Sequence, residues 1–117
     1  MQASEFLNII DENDLRGDWR SEAPELCGSY HGPLYSDSKI VEKLNELGYE
    51  LKSVDGYGGE GKGDDYWGVF SITDSSDEIS YFKISGWYAS YNGAEVDPFD
   101  LVKVTKKQVV KYEWRTE

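Results

Sequence analysis

Residues Gly56-Tyr57-Gly58-Gly59-Glu60-Gly61-Lys62 spell GxxxxGK, the opening of a phosphate-binding loop. Such a loop continues with Ser or Thr and then a helix, whose first amides hold the phosphate. Here Gly63, Asp64 and Asp65 follow, and then a strand-like run. Carboxylates beside a phosphate would repel it, so the match starts as a nucleotide site and fails at its eighth residue. The glycines then read as a connection between strands that reaches positive φ at low steric cost. Glu60, Asp64 and Asp65 have the oxygen chemistry for a hard cation. The ligand spacing of a calcium loop is absent, and a solvated acidic loop accounts for them more simply.

Cys27 and His31 are the sole cysteine and the sole histidine. Four residues apart, they could be nucleophile and base or half of a zinc site. A structural zinc site takes four ligands, and the chain has no second Cys or His to supply them. A buried cysteine is also an ordinary small hydrophobe. Carboxylate pairs are too numerous for any one to mark acid–base work, which depends on a set separation. Arg16-Gly17-Asp18 reads as a turn anchored by Trp19. No catalytic set, metal site or cofactor is assigned.

The aromatic residues offer different chemistry. Trp67, Tyr81, Trp87, Tyr88 and Tyr91 fall on two neighbouring strand-like runs and point to both faces of a hairpin. One set packs the core. The other, where exposed, suits protein binding, because Trp and Tyr are enriched at binding hot spots. Charge adds to this. The chain holds 23 Asp and Glu against 12 Lys and Arg, a formal net charge of −11. That opposes direct contact with nucleic acid, whose phosphates need cations, and with anionic membranes. Solubility alone would explain it; a partner with a basic surface would explain it too. Residues 55–78 carry seven acids and one lysine, residues 1–25 carry seven acids and two arginines, and residues 101–117 are mildly basic. The candidate partner-binding residues are Glu60, Asp64, Asp65, Asp74, Asp77, Glu78, Trp87, Tyr88 and Tyr91.

These residues need a frame. Ala3 to Asn13 predicts a short helix, with Phe6, Leu7 and Ile10 at helical spacing and Ser4 as its cap. Residues 14–37 show no clear period and read as a long loop punctuated by Gly17, Pro24, Gly28, Gly32 and Pro33. Ser38 to Leu47 predicts a second helix, capped by Asp37 or Ser36. Its stripe is Ile40, Val41, Leu44 and Leu47, and Gly48 takes the left-handed stop. Tyr49–Val54, Tyr66–Thr73 and Ile79–Tyr91 alternate as strands, with Gly86 marking a bulge or bend. Asn92-Gly93 is a turn signal. Leu101–Val104 and Gln108–Trp114 read as one interrupted strand or two short ones, whose lysines would pair with acidic neighbours or blunt a sheet edge. The expected fold is a single α+β domain over residues 1–117, a four- to five-stranded antiparallel sheet with two helices packed on one face. The N-terminal residues lack the basic and apolar regions of a signal peptide, and one cysteine forms no internal disulfide, so a cytoplasmic protein is expected.

One segment resembles a known group. Gly58-Gly59-Glu60-Gly61, Gly63, Tyr66-Trp67, Val69-Phe70, and then Tyr81-Phe82-Lys83, Gly86-Trp87-Tyr88, Ser90-Tyr91 and Gly93 are similar to a hairpin of small, uncharacterised accessory proteins of tailed bacteriophages. The resemblance spans about residues 49–114 and leaves out the first third. It implies a non-structural protein made in an infected bacterium, of a kind that binds and inhibits host proteins. The expectation is thus a non-enzymatic acidic inhibitor of a host nucleic-acid-binding or defence protein, acting by nucleic-acid mimicry. Alternatives are an immunity or antitoxin protein for a cognate toxin, or a small enzyme or ligand-binding domain that uses Cys27 and His31. Exposed apolar strand edges would also support a homodimer.

Overall fold

The computed structural model describes residues 1–29, 32, 34, 37–89 and 93–106. His31, Tyr91 and the strand expected over 108–114 lie outside these residues. Helix α1 spans Ala3–Glu12, α2 spans Arg16–Glu22 and runs into a 3-10 turn at Ala23–Leu26, and α3 spans Lys39–Glu46. Strands β1 (Glu50–Tyr57), β2 (Asp65–Thr73), β3 (Ile79–Ala89) and β4 (Gly93–Val104) follow. All neighbours pair antiparallel in the order β1-β2-β3-β4. The α+β class holds, with four strands among the described residues.

Helix α2 is a correction, because residues 14–37 read as loop. Leu15, Trp19, Ala23 and Leu26 recur at spacings of four, four and three, and all four are buried. That is a helical face, but Gly17 and Pro24 interrupt it and the segment changes from α to 3-10 across it. Arg16-Gly17-Asp18 is accordingly the first turn of α2 rather than a loop turn. The caps also differ from expectation. In α1 the cap position is Gln2, whose backbone N–H donates to Glu5 Oε1 at 3.0 Å. In α3, Ser38 itself is the cap and accepts from the Val41 N–H at 3.1 Å, satisfying one of the amides a helix start leaves free. Gly48 stops α3 with φ 90°, as its position predicts. Leu47, expected in the apolar stripe of α3, is exposed.

The helices cover one face of the sheet. Alternation sends Phe70 and Ile72 of β2, and Phe82 and Ile84 of β3, into a core with Phe6, Ile10, Trp19, Ile40 and Leu44. At its centre Phe6 meets Trp19 at 5.1 Å and 72°, and Trp19 meets Phe70 at 5.4 Å and 65°. Edge-to-face pairs of this kind each contribute about 0.5–1.5 kcal/mol beyond burial. The other face of the sheet carries Tyr57, Trp67, Val69, Tyr81, Lys83, Trp87 and Val102, with no helix over it among the described residues.

Strand β4 is irregular. Ile84 pairs with Leu101 but Gly86 pairs with Val96, so Ser85 stands opposite the four residues Asp97–Asp100. The extra residues reach toward the helix layer. Trp19 Nε1 donates to the Pro98 carbonyl at 2.7 Å, and the Arg16 guanidinium lies 4.1 Å from the Phe99 ring centre. Gly86 is required beside this bulge, since a Cβ there would run into the Glu95 carbonyl.

Candidate functional site

The glycine-rich connection Gly58–Asp64 sits at one end of the sheet, and the first third of the chain is built onto it. Gly28 N–H donates to the Trp67 carbonyl at 3.0 Å and Ser29 N–H to the Gly58 carbonyl at 2.9 Å. The Gly58 N–H returns a bond to Ser29 Oγ at 3.2 Å. This backbone-to-backbone approach works only because Gly68 has no side chain; a Cβ there would overlap the Leu26 carbonyl. Gly58, with φ 112°, would likewise collide with the Asp65 carbonyl if substituted.

Between these layers opens a cleft of about 460 Å³ whose walls include Glu25, Cys27, Ser29, Gly58, Tyr66 and Tyr88. Its aromatic wall is a stacked pair, Tyr66 and Tyr88, with ring centres 6.1 Å apart. Tyr88 donates its hydroxyl proton to Glu60 Oε2 at 2.8 Å, and its backbone N–H donates to the Asp64 carbonyl at 3.0 Å. The Glu60 carboxylate, by accepting that bond, holds the Tyr88 phenol above its ordinary range. Burial, and then the nearby Cys27, raise Tyr66 as well. Cys27 is buried, and that burial pushes its thiol up to about 12. A nucleophilic cysteine needs the opposite shift, toward thiolate at neutral pH.

The outer face has a different character. Tyr57 and Trp67, cross-strand partners, stack at 6.2 Å and 19°. Lys83 Nζ lies 4.7 Å from the Trp67 ring centre, a cation–π contact. Trp87 is 42% exposed. Its cross-strand partners are Asp65 on β2 and Glu95 on β4, so a carboxylate-bearing residue flanks the indole on each side. Such neighbours stand about 5 Å apart at Cβ.

The candidate residues therefore divide. Asp65 and Trp87 come together on the outer face. Glu60 and Tyr88 are joined to each other on the helix side, and Asp64 contributes its carbonyl there. Asp74, Asp77 and Glu78 lie at the other end of β2, which is nine residues long, or roughly 30 Å at the usual strand rise. There Asp74 builds the turn. Its Oδ1 accepts from Ser76 N–H, Ser76 Oγ–H and Glu78 N–H at 2.8–3.0 Å. These bonds, the Ser76 side chain first, hold its carboxyl below the usual carboxylate range. Glu78 lies 3.8 Å from the N-terminal amine. Tyr91 lies outside the described residues.

Glu95 and Asp97 escaped the sequence reading. Taken as a two-residue turn, Asn92-Gly93 would set Trp87 opposite Pro98. Ala89 instead pairs with Gly93, which brings Glu95 to Trp87. Among the described residues, no group of three or more His, Cys, Asp or Glu is placed to hold a metal ion, and no helix is long and apolar enough to cross a membrane. Compared with protein-family models, curated proteins and solved structures, the chain matches none.

Proposed function

We propose that this protein is a non-enzymatic binding protein that seats its glycine-rich end on a basic surface of another protein. The observation that carries this reading is the exposed indole of Trp87 between Asp65 and Glu95. Aromatic anchors with a charged rim are the usual make-up of a protein-binding patch. A net charge of −11 would steer such a patch toward a cationic partner and raise the association rate.

The resemblance of residues 49–114 to bacteriophage accessory proteins supplies the setting. The partner is a host nucleic-acid-binding or defence protein in the bacterial cytoplasm, and the acidic end occupies the surface that would otherwise hold nucleic acid. The raised Cys27 thiol counts against the alternative in which that residue is a nucleophile. An immunity protein for a basic toxin would use the same surface, and the identity of the captured partner separates the two.

The test is capture from bacterial lysate on immobilised protein, at low and high salt and with duplex DNA as competitor, followed by mass spectrometry. The reading expects nucleic-acid-binding proteins that salt and DNA both release. Partners held equally at all salt concentrations, or unaffected by DNA, contradict it, because contacts between exposed charges are screened over roughly 10 Å at 0.1 M salt.

A further inference from the structure

Two aromatic rings of the outer face carry a cation: Lys83 lies over Trp67 at 4.7 Å and Lys106 over Tyr81 at 5.3 Å. Trp87 departs from that pattern. It has no such contact among the described residues, and it borders a notch of about 270 Å³ whose lining includes Gly86, Glu95, Val96 and Asp97. The notch lies beside Gly86, where the β3–β4 pairing is interrupted and β4 bulges at Asp97–Asp100. Asp97 Oδ1 accepts from the Phe99 N–H at 3.0 Å, which fixes that carboxylate at the rim. Asp65 closes the opposite side of the indole.

An apolar plate between carboxylates is complementary to one kind of group, a flat cation with a weakly held hydration shell. A guanidinium meets both requirements: its face stacks on an indole and its edges donate paired hydrogen bonds to carboxylates. A compact ammonium keeps its water more tightly and offers no flat face. Resting on the binding reading above, we infer that the notch beside Trp87 receives one arginine side chain of the partner protein. The guanidinium lies on the indole and donates to Glu95 and Asp97, with Asp65 adding charge from the far side. The basic surface is thereby narrowed to one that presents an arginine at the centre of the contact.

The full-length protein, labelled with nitrogen-15, would be titrated with a blocked Gly-Arg-Gly peptide and with its lysine and citrulline counterparts. The indole N–H resonance of Trp87 is identified by its loss in Trp87→Phe. The arginine peptide should shift that resonance saturably, the lysine peptide should bind roughly threefold more weakly or worse, and neutral citrulline should give no shift. Glu95→Gln combined with Asp97→Asn, with an unchanged unfolding midpoint, should weaken arginine binding about fivefold. Equal binding of lysine or citrulline overturns the inference, as does a Trp87 resonance that never moves. If the arginine peptide binds only elsewhere, at residues 60–64 or 74–78, this inference falls while the charge-based reading stands. If it binds nowhere, both fall.

Discussion

The two ends of the β2–β3 hairpin look alike in sequence and differ in physical role. Each carries three of the expected acidic residues, Glu60, Asp64 and Asp65 at one end and Asp74, Asp77 and Glu78 at the other. At the turn end, Asp74 is committed to holding its own loop through three hydrogen bonds, and Glu78 faces the N-terminal amine. Those charges build structure. At the glycine-rich end the backbone is held by other means, through Gly58, Gly68 and the docked Gly28-Ser29 segment. Asp65 is therefore free of turn duty and sits beside an exposed indole. A count of acidic residues does not separate these ends; Asp74, which accepts three bonds within its own turn, and Asp65, which stands beside the exposed indole, do, while Glu60 accepts the Tyr88 hydroxyl.

This contrast can be broken in several places. If the glycine-rich end were a reactive site rather than a docking end, its thiol would be labile. With its pKa pushed up to about 12, Cys27 should hold on the order of a thousandfold less thiolate than an ordinary cysteine at neutral pH. Iodoacetamide at pH 8 should leave the folded protein unlabelled and modify it fully in denaturant, as mass spectrometry would show. Rapid labelling of the folded protein would place a reactive thiol at this end.

The next effect tests what holds that end together. Gly68→Ala puts a Cβ against the Leu26 carbonyl and should cost about 1–3 kcal/mol through overpacking. Gly61→Ala has no neighbour to strike and only its φ of 79° to strain, so it should cost about 1 kcal/mol. Urea unfolding measures both. Equal losses would mean that the docked Leu26–Ser29 segment contributes nothing to the frame.

The smallest effect belongs to the turn end. The folded pKa of Asp74 is depressed by the bonds it accepts. Its contribution is complete above the unfolded value of about 3.9 and fades as the pH falls through the lower folded value. Asp74→Ala should therefore lower the unfolding midpoint slightly at pH 6, and the gap from wild type should close in strong acid. A gap that stays constant with pH would remove Asp74 as the organiser of the turn.

Most of the frame was legible in the sequence, and the site only in part. The stripe through Ile40 and Leu44 gave α3, and alternation through Phe70, Ile72, Phe82 and Ile84 gave the hairpin and its buried face. Local chemistry sufficed there because each element repeats its period for several residues. Helix α2 was hidden because its buried face runs across a glycine, a proline and a change of helix type. In the site, Trp87 and Asp65 could be chosen by residue type. The separation of Tyr88 from Trp87 follows from strand alternation, but which of the two would be exposed depends on where the helices pack. Glu95 and Asp97 depend on the register of β4, which a four-residue bulge sets. A long-range pairing of that kind leaves little local trace.

The central claim is that the two acidic ends are not equivalent. Isothermal titration of a nona-arginine peptide at low salt compares them directly, using Asp65→Asn with Glu95→Gln at one end and Asp77→Asn with Glu78→Gln at the other. Both pairs remove two charges. The account predicts a loss of affinity of about tenfold for the first pair and less than twofold for the second. Equal losses, or a larger loss at the turn end, would contradict it.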